Sequence, residues 1–267
     1  MNELMTFEEQ QKVAKNILKE FKNFCEKHGL RYYLSYGTLL GAARHQDIIP
    51  WDYDIDVQMP RPDFDRFIEM TAENDICEHM HTFSYKNTKG YYLWFAKICD
   101  TRTRLEITKT SSKIPFGMWI DIFPLDAIPD DENVSNQTRE KIVSLQKKAA
   151  YTVTNNITGK GRIMQIFKCL PYKLKLIDCV KHIESAHDIA RKLDYEKAKV
   201  EGSFSMYGNS ANEYLDKSYY METVKLKFGE ESYACPARYD EMLTISYGDY
   251  MTPPDEIEEP RCFAYYV

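Results

Sequence analysis

The chain has 267 residues, 43% of them hydrophobic and 28% charged, which is enough apolar material for a substantial core in one large domain or two small ones. A net charge of -6 with scattered basic residues excludes a nucleic-acid groove, so no nucleic-acid partner is expected. Seven widely spread cysteines without Cys-x-x-Cys spacing read as free thiols; with no continuous apolar stretch near Met1 and no segment of membrane-spanning length, they predict a cytoplasmic protein.

Thr6 followed by Glu9 forms the pattern of a capping box, and Val13, Ala14, Ile17, Leu18, Phe21, Phe24 and Cys25 recur at helical spacing up to Gly29. Residues 30–36 predict a strand that runs directly into a helix beginning at Gly37 and Thr38. A helix N-terminus offers unpaired N–H groups, Gly37 lets a phosphate approach and Thr38 adds a hydroxyl. The competing reading is a Thr38 cap with Gly41 permitting close packing.

Residues 51–57 carry Asp52, Asp54 and Asp56 at alternate positions in a β-favouring run. In a strand these three share one face, while Tyr53, Ile55 and Val57 point to the core. Neighbouring carboxylates repel one another unless a cation sits among them, so the pattern is either a metal site or a solvated acidic strand end. Pro60, Arg61 and Pro62 end the strand, and a helix follows over 63–72.

His79 and His81 read as surface or packing residues. Residues 91–99 predict a strand with 103–108 as its hairpin partner. Lys97, alone among apolar neighbours, must reach solvent or meet an anion. In the strand predicted over 117–126, Asp121 sits between Ile120 and Ile122 and needs a partner, which makes it the natural third carboxylate beside Asp54 and Asp56. Asp126 and the acids at 130–132 read as turn and helix-start residues.

Helices are expected near 133–150, 162–170 and 173–199. The basic, apolar span 163–183 either rests on an anionic membrane as a peripheral contact or packs on the core as a hairpin. The aromatic and proline-rich end of the chain predicts an ordered, loop-rich segment. The sequence thus divides into a core over 1–130, a helical region over 131–200 and a C-terminal segment over 201–267 packed on the core.

Ser35-Tyr36-Gly37-Thr38-Leu39-Leu40-Gly41-Ala42-Ala43-Arg44-His45, followed by Ile49 to Val57, closely resembles the signature of the LicD family of phosphocholine transferases, relatives of the fukutin-type phosphotransferases. Ala96-Lys97-Ile98, Trp119 to Asp126 and Tyr247 to Met251 extend the resemblance. It implies an α+β, nucleotidyltransferase-like fold, a small mixed sheet flanked by helices. It implies Asp54, Asp56 and Asp121 as catalytic carboxylates holding Mg²⁺, with Mn²⁺ as a substitute. Gly37, Thr38, Arg44, His45, Lys97 and Asp52 are the expected substrate contacts, and Asp121, then Asp52, the expected general base. The implied reaction moves phosphocholine, or a related phospho-alcohol, from CDP-choline or another CDP-alcohol to a hydroxyl of a glycan or lipid-linked glycan at the inner face of the membrane, releasing CMP. Teichoic acid, lipopolysaccharide and capsule repeats are all open as acceptors. The family usually carries Asp where this chain has Tyr53. The alternatives are transfer of a nucleotide to the acceptor, a glycosyltransferase using Asp-x-Asp, a phosphatase and a catalytically silent nucleotide-binding module.

Overall fold

The computed structural model of the protein describes residues 3–105, 112–154, 162–174, 176–205, 214–254 and 263–267. Helix α1 spans Phe7–His28; its capping box forms, and Gly29 ends it at φ 62°, a left-handed conformation that glycine adopts without cost. Strand β1 (Tyr33–Leu34) and helix α2 (Tyr36–Arg44) follow. Next come β2 (Asp56–Pro60), α3 (Arg61–Glu73), β3 (Met80–Phe83), β4 (Ala96–Asp100), β5 (Thr103–Leu105) and β6 (Trp119–Ile128).

The remaining elements are α4 (Glu132–Ala150), α5 (Arg162–Lys173), α6 (Cys179–Arg191), β7 (Val200–Gly202), β8 (Leu215–Asp216), α7 (Ser218–Met221), β9 (Thr223–Phe228), β10 (Glu231–Pro236), α8 (Tyr239–Tyr247) and β11 (Ala264–Tyr266). The fold is α+β.

The main sheet runs β1-β2-β6-β4-β3, with β7 and β8 added beyond the far half of β6. Only β2 and β6 are parallel; the other pairs are antiparallel. Alternation gives the sheet two unlike faces. Val57, Met59, Ile98, Ile120 and Ile122 are fully buried and join Ala14, Ile17, Phe21 and Phe67 of α1 and α3 in one core. On the other face, Tyr33 and Leu125 close a small cluster with Leu215 and Tyr220. The near end of that face carries Asp56, Asp121 and Lys97.

Several elements depart from the expected spans. The strand expected over 51–57 begins only at Asp56; before it, side chains take up backbone groups of the preceding loop. Gln11 Nε2 donates to the Asp52 carbonyl at 2.8 Å, and Asp52 Oδ1 accepts the Tyr53 N–H at 2.9 Å. The strand expected over 91–99 is regular only from Ala96. Residues 103–105 do not form a hairpin with β4, whose two edges are already taken by β3 and β6; they pair with β11 instead. The rest of that expected strand, 106–108, lies outside the described residues. Asp126 is no turn residue: it is buried inside β6 and accepts from Arg61 Nε at 2.6 Å. The C-terminal segment is also more regular than expected, since β9 and β10 form a six-residue hairpin.

Candidate active site

The site is built on one rung of the sheet. Asp56 of β2 lies opposite Asp121 of β6, and Asp121 lies opposite Lys97 of β4, so three ionisable groups stand side by side on one face. Lys97 Nζ donates to Asp121 Oδ1 at 2.6 Å, which answers what an amine in that apolar run meets. Trp119, two residues before Asp121 and therefore on the same strand face, donates its indole N–H to Oδ2 at 3.1 Å. The ammonium lies 4.4 Å from the Trp119 ring centroid.

Helix α2 delivers the second wall. Thr38 is buried, and its hydroxyl oxygen accepts the Asp56 N–H at 2.8 Å, so it fixes where β2 begins. Gly37 stands where a Cβ would come 3.1 Å from Asp52 Oδ2. The Asp52 carboxylate thus lies against the positive N-terminal end of α2, where a phosphate contact is expected from the sequence. Tyr36 opens the helix at φ 47°, a conformation that costs a non-glycine residue about 1–3 kcal/mol. Its hydroxyl accepts from Gln58 Nε2 at 3.2 Å and its ring packs edge-on against Phe123, which holds the turn in place. Gly41 leaves room for the Asp47 carbonyl, 2.6 Å from where a Cβ would stand.

The loop between α2 and β2 is pinned to α1. Gln11 reaches the Ile49 and Asp52 carbonyls, and Lys15 pairs with Asp47 at 3.0 Å. Asp52 and Asp54 therefore arrive from an anchored loop rather than a strand.

Electrostatics make this corner unfavourable in isolation. Burial and a hydrogen bond shared with Asp54 push the Asp52 carboxyl up to about 7. Asp56 is held well above the ordinary carboxylate range by burial, then by the charges of Asp54 and Asp121, against which Lys97 pulls the other way. Burial raises Asp121 as well, and Lys97 opposes it. Hard carboxylate oxygens that raise one another's proton affinity are a donor set suited to Mg²⁺ or Mn²⁺. Both Asp121 oxygens are nevertheless engaged, by Lys97 and Trp119. Among the described residues no three His, Cys, Asp or Glu side chains stand together in a form that could hold a metal ion.

Arg44 and His45, at the other end of α2, face Trp51. The Arg44 guanidinium lies 5.9 Å from the Trp51 ring, and Nη1 donates to the Tyr250 carbonyl at 2.8 Å. Burial and the Arg44 charge lower the His45 pKa and favour its neutral ring. Tyr53 does not enter the core. It is half-buried and packs edge-on against Trp119 and Phe263, at 6.1 and 4.8 Å between ring centroids. Trp119 was not expected as a partner of Asp121, although its i−2 spacing puts both on one strand face; Gln11 and Phe263, distant in sequence, carried no such signal.

Comparison with known proteins places these residues in context. The family described as LicD/FKTN/FKRP, nucleotidyltransferase domain, matches residues 29–156, a span that includes α2, the acidic loop, β2, β4 and β6. Over 260 residues, 96% of each chain, the sequence is 30% identical to the lipopolysaccharide cholinephosphotransferase LicD of Haemophilus influenzae. A segment of 32 residues, 12% of this chain and 6% of the other, is 69% identical to the ribitol 5-phosphate transferase FKRP of Homo sapiens.

Proposed function

The chain belongs to the LicD family and is a transferase, and we propose that it transfers phosphocholine from CDP-choline to a hydroxyl of a lipopolysaccharide or related cell-surface glycan, releasing CMP. The observation that carries this reading is the rung Lys97–Asp121–Asp56, with Asp52 at the head of α2, inside a chain similar from end to end to a lipopolysaccharide cholinephosphotransferase.

Asp54 and Asp56 would hold Mg²⁺, with Asp121 beside them. When bound, the ion would neutralise the diphosphate of the donor. The N-terminus of α2 at Gly37, with Lys97 at the rung, receives phosphate oxygens and displaces the Asp52 carboxylate that now lies there. Thr38 fixes the backbone of Asp56 through its hydroxyl oxygen, and its O–H is a further phosphate contact. Arg44 and His45 are further phosphate contacts. Asp121 takes the proton of the attacking hydroxyl, its affinity for that proton raised by burial, and Asp52 is the second candidate for this role. The acceptor oxygen forms a bond to the phosphorus bearing choline as the diphosphate P–O bond breaks.

The name of the matched domain supports one other reading, nucleotidyl transfer, in which the acceptor attacks the nucleoside phosphorus instead. For the favoured reading, Asp121→Asn should abolish turnover while CDP-choline with Mg²⁺ still raises the melting temperature. An Asp121→Asn protein that remains active and metal-dependent would remove Asp121 from the chemistry.

A further inference from the structure

The described part of the chain leaves one large apolar surface uncovered, and it lies far from the carboxylates in sequence, on α5 and the turn after it. Ile166, Phe167, Leu170, Leu174, Leu176 and Ile177 are all exposed, Phe167 at 68% and Leu176 at 75%. These six fall within twelve positions, the longest run of large exposed apolar residues among the described ones. The helix is not simply misplaced core. Cys169 and Tyr172, three apart on its other side, are buried, and the Tyr172 hydroxyl is hydrogen-bonded to His182 Nε2 of α6 at 2.9 Å. One side of α5 is seated on the protein and the opposite side presents apolar groups outward. A protein facing only water rarely exposes a contiguous apolar patch of this kind.

Charge identifies the partner. Between residues 139 and 181 the sequence holds ten Lys and Arg against two acids, Glu140 and Asp178, a net of eight positive charges in a chain whose total is -6. Arg139, Lys147, Lys148 and Lys168 line a groove of about 610 Å³ between α4 and α5, with Glu140 as its one carboxylate. Exposed Lys173 and Lys181 continue the basic rim along α5 and α6. Apolar groups bordered by cations are the pattern of a helix lying in the interface of an anionic bilayer. At 12 residues, α5 is about 18 Å long, too short to cross, and no helix among the described residues is long and apolar enough to do so.

We infer that α5 and the turn after it, flanked by the α4–α5 groove, form a docking surface for an anionic phospholipid membrane. Phe167, Leu170 and Leu174 enter the acyl boundary and Lys147, Lys148 and Lys168 meet lipid phosphates. The inference rests on exposure and charge and is independent of the transfer chemistry proposed above.

Cosedimentation of the full chain with vesicles tests it. Vesicles of phosphatidylcholine mixed with phosphatidylglycerol should pellet the protein at low salt. Pure phosphatidylcholine or high salt should weaken binding about tenfold or more. Lys147→Glu with Lys148→Glu, and separately Phe167→Ser with Leu174→Ser, should each lower partitioning about tenfold with an unchanged melting temperature, since all four side chains lie outside the core. Absence of pelleting at low salt overturns the inference, as does equal binding to neutral and anionic vesicles. A concentration-dependent dimer in sedimentation velocity that Phe167→Ser dissociates also overturns it, assigning the face to a second copy of the chain.

Discussion

Asp56 stands where stability and chemistry oppose each other. Its backbone is fixed by the Thr38 hydroxyl, and its desolvated carboxyl meets the charges of Asp54, Asp121 and Asp52, against which Lys97 pulls. Its pKa is higher folded than unfolded. In the pH range between those two values the folded chain holds a proton that the unfolded chain has lost, so stability falls as pH rises through that range and returns as pH falls. Asp56→Asn should therefore stabilise the protein at neutral pH, by about 1 kcal/mol, while abolishing transfer. Melting curves at a neutral and an acidic pH read this out: the variant's advantage should shrink as pH falls and wild-type Asp56 takes up its proton. An equal loss of stability at both pH values would contradict the electrostatic account of the site. The same logic predicts that Mg²⁺ raises the melting temperature more at neutral pH than at pH 5. That Asp56, Asp121 and Lys97 stand on one rung was foreshadowed in the sequence, because carboxylates and an amine in apolar runs need partners. The engagement of Asp121 by Lys97 was open to the sequence only as one of two outcomes.

At the level of elements, α3 is fastened to β6 by a buried ion pair. Arg61 and Asp126 are 4% and 0% exposed, and Arg61 Nη1 also meets His187 Nδ1 of α6 at 3.1 Å. The guanidinium lies 5.3 Å from the Trp94 ring, against which His187 stacks. Burial and the Arg61 charge keep that imidazole neutral, its pKa well below the ordinary histidine value. Arg61→Leu leaves the Asp126 carboxylate buried without its cation, which should cost about 3–5 kcal/mol in urea unfolding. The double variant Arg61→Leu, Asp126→Leu should recover most of that loss; if it does not, the pair contributes through more than charge. None of this was legible in the sequence. Partners 65 residues apart leave no local trace, and an acid near a proline and other acids reads as a turn. Helix α1 was legible almost to the residue, because its capping box, apolar spacing and terminal glycine are all local.

For the molecule as a whole, the parts were legible and their order was not. The sequence separates a glycine-led helix, an acidic stretch and a strand with one buried Asp, but the parallel pairing of β2 with β6 that aligns Asp56 and Asp121 is decided by tertiary packing. So is the return of β11 to β5, which stabilises the end of the chain near the site and brings Phe263 against Tyr53 and Trp119. The asymmetry of charge, acidic overall and strongly basic over α4 to α6, is present in composition; that no described residue covers the apolar side of α5 required the fold.

The central claim is that the acceptor attacks the phosphorus bearing choline. CDP-choline labelled separately in its cytidine and choline parts, incubated with the protein, Mg²⁺ and lipopolysaccharide, tests it most directly. The account predicts choline label in the lipopolysaccharide and cytidine label in solution as CMP, both lost in Asp121→Asn. Cytidine label on the acceptor would contradict it and make the protein a nucleotidyltransferase.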